Sequence, residues 1–143
     1  MFDYLGKKEG FKDLNPEQIK AFATFREELK IWNEKFNITN ITDDEGIEVK
    51  HFLDSLSLFE TGLIEGNKTL LDVGTGGGFP GIPLKIANPE LKVTLLDSLN
   101  KRIVFLDHII VTLALKDIQA IHGRAEEMGR QKDYREQYDL VTS

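Results

Sequence analysis

Asp72-Val73-Gly74-Thr75-Gly76-Gly77-Gly78-Phe79-Pro80-Gly81 is a glycine-rich run directly behind a short apolar segment. The apolar run Thr69–Val73 before it has the length and composition of a short buried strand. Glycines placed directly after a strand let the backbone turn tightly and approach a ligand with no side chain in between. Gly81–Ala87 then reads as a short helix, stopped by Asn88-Pro89. Lys92–Leu96 reads as a second strand, ending in Asp97. In open α/β sheets ligands sit beyond the carboxyl ends of the strands. A carboxylate at that end of the second strand can accept hydrogen bonds from ribose hydroxyls, so the loop and Asp97 together point to an adenosine-type ligand.

The spacing separates two kinds of adenosine ligand. A dinucleotide fingerprint runs G-x-G-x-x-G. Counted from Gly74, its sixth position is Phe79, which disfavours a nicotinamide-dependent oxidoreductase. Gly74, Gly76 and Gly78 instead give G-x-G-x-G behind the acidic Asp72, the arrangement used by methyltransferases. Their cofactor, S-adenosylmethionine, has no pyrophosphate for a helix N-terminus to cradle.

Toward the C-terminus, Ile103, Leu106, Ile110 and Leu113 form a helical stripe. Ile118–Ile121 is a third strand, and a fourth begins at Leu140–Thr142. Strands alternating with helices over short connections imply right-handed crossovers and a parallel sheet. Toward the N-terminus the pattern is helical. Asn15 can cap a helix with Pro16 at its first position and Gln18 reaching back as in a capping box. Phe22, Phe25, Leu29, Trp32 and Phe36 make its apolar stripe, and Asn37-Ile38-Thr39-Asn40 breaks it. A second helix is expected after Asp43-Asp44, with Ile47, Phe52 and Leu56 inward. The fold class is therefore α/β: a Rossmann-like sheet of about four parallel strands over 67–143, with a helical layer over 1–66, together one structural unit.

Composition narrows the function. Of 143 residues 41% are hydrophobic, enough for one core. Acidic residues outnumber basic ones, giving a formal net charge of -6, which argues against a strongly basic nucleic-acid binder. Without cysteine there is no disulfide, thiolate metal site or cysteine nucleophile. No apolar run approaches the roughly 20 residues of a membrane span. Met1-Phe2-Asp3-Tyr4 lacks the basic start and apolar stretch of a signal peptide, so a cytoplasmic protein is expected.

The loop continues in a more specific way. Leu71 through Leu84, with its Phe79-Pro80-Gly81-Ile82-Pro83 continuation, closely resembles the GidB/RsmG family of 16S ribosomal RNA N7-guanine methyltransferases. Trp32 through Thr39, Lys50 through Leu56, Leu95 through Arg102 and Gly123 through Glu127 resemble the same family. The resemblance implies that Gly74 and Phe79 line the cofactor site and that Ala125 and Glu126 contact the adenine side. Gly76 and Gly78 join them from the glycine pattern, and Asp97 is assigned to the ribose by its strand-end position. The resemblance also implies 16S ribosomal RNA, or the small ribosomal subunit, as the partner. In the family the fourth strand runs into Ser-Arg-Ala, whose arginine belongs to the site, and the usual sheet has about seven strands. This chain stops at Ser143, so it reads as truncated, with poor activity and marginal stability expected of the piece.

Methyl transfer to guanine N7 fits what the sequence lacks. N7 has an in-plane lone pair and no proton, so no general base is needed, and the sequence identifies no catalytic acid or base. Cytosine-carbon methylation usually needs a cysteine. Exocyclic-amine methylation usually needs an Asp/Asn-Pro-Pro-aromatic motif where this chain has Asp139-Leu140-Val141-Thr142-Ser143. Two alternatives stay open: a methyltransferase for a small molecule or protein, and a non-catalytic cofactor-binding fragment. His51, His108 and His122 have no metal-ligand spacing, and no metal is expected. His51 with Asp54 three residues on reads as a helix-orienting pair, Trp32 as core and Lys101-Arg102 as a solvated surface pair. Lys7, Lys8 and Lys12 form a small basic cluster near the N-terminus that makes no RNA groove.

Overall fold

The structure is a computed structural model that describes residues 14–130 and 137–143. The Lys7, Lys8 and Lys12 cluster lies outside the described residues.

Four parallel strands form the sheet of the described residues: β1 Thr69–Val73, β2 Lys92–Asp97, β3 Ile118–His122 and β4 Leu140–Thr142, in the order β3-β2-β1-β4. Register runs Leu70 to Val93, Val93 to Ile118 and Leu70 to Leu140. The chain moves outward from β1 to β3 and then returns to the other side of β1. The direction of winding therefore reverses at β1, where open sheets place their ligands.

Helix α1 spans Pro16–Phe36. Asn15 Oδ1 accepts the Gln18 N–H and Gln18 Oε1 accepts the Asn15 N–H, both at 2.8 Å, which completes the expected capping box. Phe22, Phe25 and Leu29 are fully buried, whereas Phe36, the last residue of the helix, is 37% exposed. Asn37 ends the helix in the left-handed region at φ 51°.

Asp43 caps the next helical segment by accepting the Gly46 N–H at 2.9 Å. That segment opens as α2, Asp44–Gly46, widens into a π-helix over Ile47–Leu53, and returns to α3, Asp54–Leu56, before a 3-10 turn at Ser57–Thr61. The sequence pattern leads one to expect an uninterrupted α-helix here. The widened turn carries Glu48 inward to within 3.6 Å of Arg26 Nη1, with both side chains buried. It also seats Phe52 between Phe22 and Phe25. Ile47, Phe52 and Leu56 point inward as expected.

Helices α4, Gly81–Ala87, and α5, Asn100–Thr112, pack on the face of the sheet that presents Leu70, Val93 and Leu95, and α1 lies across both helices. On α5 the inward stripe is Ile103, Phe105, Leu106 and Ile109, while Ile110 and Leu113 are half-buried. The opposite face carries Leu71 and Val73, both half-exposed, and Val141, 64% exposed. Leu70 belongs to the covered face, because side chains alternate along a strand. The last helix, α6, is Ala125–Arg130. Among the described residues no helix is long and apolar enough to cross a membrane.

Candidate functional site

Three chain segments converge at the carboxyl end of the sheet. They are Val73-Gly74 after β1, Leu96-Asp97-Ser98 at the end of β2, and Gly123-Arg124-Ala125-Glu126 after β3. They line a cleft of about 310 Å³, within the size range of small-molecule sites, roughly 300–1,000 Å³. Strand-end hydrogen bonds join these segments: Thr75 N–H donates to Leu96 O and Gly123 N–H to Asp97 O, each at 3.0 Å. His122 is fixed to the rim by a 2.9 Å contact between its Nε2 and Ser98 O.

Gly74 and Gly76 adopt φ 65° and 60°, and a Cβ at either would project into open space. Their absent side chains keep the approach clear, and the left-handed backbone explains why glycine stands there. Gly78 has another job. A Cβ there would stand 2.7 Å from Ile82 Cδ1 and 3.1 Å from Leu106 Cδ2, so its bare backbone lets the loop close onto α4 and α5.

Asp97 is 3% exposed and holds the site together. Its Oδ2 accepts the Gly76 N–H and its Oδ1 the Leu99 N–H, both at 2.9 Å. Arg102 Nη1 lies 3.5 Å from Oδ2. One carboxylate thus ties the glycine loop to the start of α5. Two carboxylate oxygens offer about four lone-pair sites, so capacity remains for a ligand hydroxyl at the cleft.

Asp72 lies beneath the loop, fully buried. Its Oδ2 accepts from Thr75 Oγ1 at 2.7 Å and from the Gly81 N–H at 2.9 Å, and its Oδ1 accepts from Thr142 Oγ1 at 3.2 Å. Burial pushes its carboxyl up to about 6 despite these bonds. Asp72 therefore organises the loop, α4 and β4 around itself and does not line the cleft.

Phe79 lies elsewhere. Its ring stacks on His51 with centroids 4.1 Å apart and planes 4° from parallel, and on Phe25 at 5.4 Å. It lines a second cavity of about 510 Å³, formed by Phe79-Pro80, the Lys50–Leu58 stretch and Thr142-Ser143 at the end of β4. Burial lowers the pKa of His51, opposed by the Asp54 charge. His51 Nε2 also lies 2.9 Å from Thr39 Oγ1.

Of the residues singled out from sequence, the structure brings Gly74, Asp97, Ala125 and Glu126 to one cleft, with Gly76 tied to it through Asp97. Gly78 packs inward and Phe79 lines the neighbouring cavity. The first cleft suits an adenosine-type ligand: the bare Gly74 lines it and a buried carboxylate ends its second strand. No group of three or more His, Cys, Asp or Glu side chains is placed to hold a metal ion among the described residues.

Residues 18–143 match the GidB family, described as rRNA small subunit methyltransferase G. The chain belongs to the GidB family. Curated proteins named Ribosomal RNA small subunit methyltransferase G are its relatives. The one from Lachnoclostridium phytofermentans is 55% identical over 92% of this chain and 54% of its own length. That from Alkaliphilus metalliredigens is 49% identical over 95% of this chain and 59% of its own length. This GidB chain thus spans about half the length of the curated relatives it matches. A solved protein-L-isoaspartate O-methyltransferase superimposes with TM-score 0.55 at 8% identity, over 87% of this chain and 47% of that one, which shows a shared fold.

Arg102 as the partner of Asp97 and Thr142 as a partner of Asp72 are not expected from the sequence. The first had a local signal, a basic residue in the first turn of the helix that follows the acid. The second joins residues far apart in sequence and becomes visible only once β4 pairs with β1.

Proposed function

We propose that this chain carries the S-adenosylmethionine site of an enzyme that methylates guanine N7 in 16S ribosomal RNA, working in the cytoplasm. The observation that carries the reading is the convergence of Gly74, Asp97, Ala125 and Glu126 on one cleft at the strand ends, in a chain of the GidB family. When bound, S-adenosylmethionine supplies a methyl on a positively charged sulfur, a donor that N7 can meet without a base because it carries a lone pair and no proton. Gly74 and Gly76 leave room for the ligand, and Asp97 accepts from its ribose while holding the loop. Ala125 and Glu126 flank the adenine. Gly78 and Phe79 keep the loop in shape from behind, through Leu106 and the aromatic stack. The protein's contribution to rate is then placement of two reactants, an effect worth roughly 7–11 kcal/mol in well-oriented systems.

The test is methyl transfer by the intact protein from labelled S-adenosylmethionine to small subunits taken from cells lacking the gene. Label in N7-methylguanine of 16S RNA is expected. Label in protein or in a small molecule alone would favour the other substrate classes, for which the net charge of -6 is the supporting observation.

A further inference from the structure

The second cavity has features that the cofactor cleft does not use. Phe25, Phe79 and His51 form a column of near-parallel rings, and His51 ends it, half-buried, with no further ring stacked on it among the described residues. Asp54, exposed on the cavity wall one turn further along, has a carboxylate that accepts no hydrogen bond among the described residues. Lys50 stands at the same wall, exposed. The loop after β1 supplies Gly74 to the cofactor cleft and Phe79-Pro80 to this cavity, so one loop walls both.

We propose that this cavity receives the target base, a guanine stacked on His51 with its Watson–Crick edge read by Asp54 and a neighbouring phosphate met by Lys50. The assignment rests on the reading of the protein as an RNA guanine methyltransferase and adds the residues that choose the base. An unstacked RNA base is commonly held on an aromatic ring and read along its Watson–Crick edge. Guanine presents two donors there, N1–H and the exocyclic amine, and a carboxylate accepts both side by side. Adenine presents an acceptor at N1, which a carboxylate repels. Held by this edge, guanine leaves N7 on its opposite side, clear of Asp54. The N7 lone pair then forms the new carbon–nitrogen bond as the methyl–sulfur bond breaks. The electron pair of the broken bond stays on sulfur and no proton moves, so Asp54 acts in selection and positioning, not as a base.

The experiment uses the intact protein and small subunits whose 16S RNA carries either guanine or inosine at the methylated position. Inosine keeps N7 and N1–H and lacks only the exocyclic amine. For the wild type, inosine is expected to lower kcat/KM on the order of tenfold, as one lost base contact does. Asp54→Asn should lower kcat/KM on guanine about tenfold to a hundredfold, and inosine should then cost it little more. Melting temperature and affinity for S-adenosylhomocysteine should stay unchanged, because Asp54 is exposed and outside the cofactor cleft. Lys50→Ala should weaken RNA binding and reduce its salt slope by about 1. His51→Phe should keep more RNA affinity than His51→Ala. An Asp54→Asn enzyme that shows the wild-type guanine-to-inosine ratio overturns the assignment while the RNA methyltransferase reading stands. A wild-type protein that transfers no methyl to 16S RNA overturns both.

Discussion

Replacing Asp97 by asparagine tests how the cofactor cleft is built. The carboxylate is 3% exposed, and each oxygen accepts one backbone N–H, from Gly76 and from Leu99. Asparagine has one acceptor oxygen and one NH2, so whichever way it turns, one of these N–H groups faces a donor. Losing a hydrogen bond to a charged group costs about 1.5–3 kcal/mol. The Arg102 contact, 3.5 Å long with the arginine 31% exposed, adds little. Asp97→Asn should therefore lower unfolding stability by about 2–3 kcal/mol. The melting temperature should fall by roughly 5–10 °C for a chain of this size. Affinity for S-adenosylhomocysteine should fall by about tenfold or more, since the loop that admits the ligand loses its tether. Asp97→Ala should cost more, because both N–H groups lose the carboxylate. Urea unfolding followed by circular dichroism and titration calorimetry measure the two effects. Stability within about 0.5 kcal/mol of wild type, the range of ordinary surface changes, together with unchanged affinity, would show that Asp97 does not tether the loop.

Asp72 gives a pH prediction. Its folded pKa, raised to about 6, lies above the ordinary 3.8, so the folded state holds the proton more tightly than the unfolded chain. Its contribution to stability is present below about pH 4 and is lost as pH rises to about 6, a difference of about 3 kcal/mol. Asp72→Asn can keep all three contacts, its oxygen accepting from Thr75 and Gly81 and its amide donating to Thr142 Oγ1. It should flatten that slope and leave the protein no less stable at pH 7.5, as urea unfolding at several pH values will show. Gly78→Ala should destabilise by at least about 1–3 kcal/mol, through overpacking against Ile82 and Leu106 and through the strain of a side chain at φ 100°. Gly74→Ala meets no atom within 4 Å, so it should lose only about 1–2 kcal/mol to its left-handed backbone, and its larger loss should appear in cofactor titrations. Asn15→Ala removes the side-chain acceptor of the Gln18 N–H, leaves the backbone N–H of residue 15 on Gln18 Oε1, and should cost about 1 kcal/mol by thermal unfolding.

Elements built on local chemistry were legible in the sequence. The capping box at Asn15 and Gln18, the break at Asn37 and the strands at Thr69, Lys92, Ile118 and Leu140 all depend on neighbours within a turn or on short apolar runs. The cleft was legible to the extent that strand ends determine it: Gly74, Asp97, Ala125 and Glu126 meet because parallel strands align their carboxyl ends. What stayed hidden depends on contacts between distant segments. The π-helical turn at Ile47–Leu53 accompanies the meeting of Glu48 with Arg26 and of Phe52 with Phe25, and nothing within the segment signals it. Phe79 reads as a loop residue beside the ligand, yet two rings from the helical layer, His51 and Phe25, fix its position. Asp97 reads as a free ribose acceptor, whereas the left-handed turn at Gly76 aims a backbone N–H at it.

The proposed activity, a methyl placed on guanine N7 of 16S RNA, leaves a mark that chemistry can read. N7-methylguanine carries a fixed positive charge and a weakened glycosidic bond, so borohydride followed by aniline cuts the RNA at the modified nucleotide. The decisive measurement applies this chemistry, with mass analysis of the fragments, to 16S RNA from cells with the gene, without it, and with the gene restored. A cut at one guanine is expected with the gene, none without it, and a restored cut on complementation. An identical cleavage pattern and an identical fragment mass in all three would contradict the proposed activity.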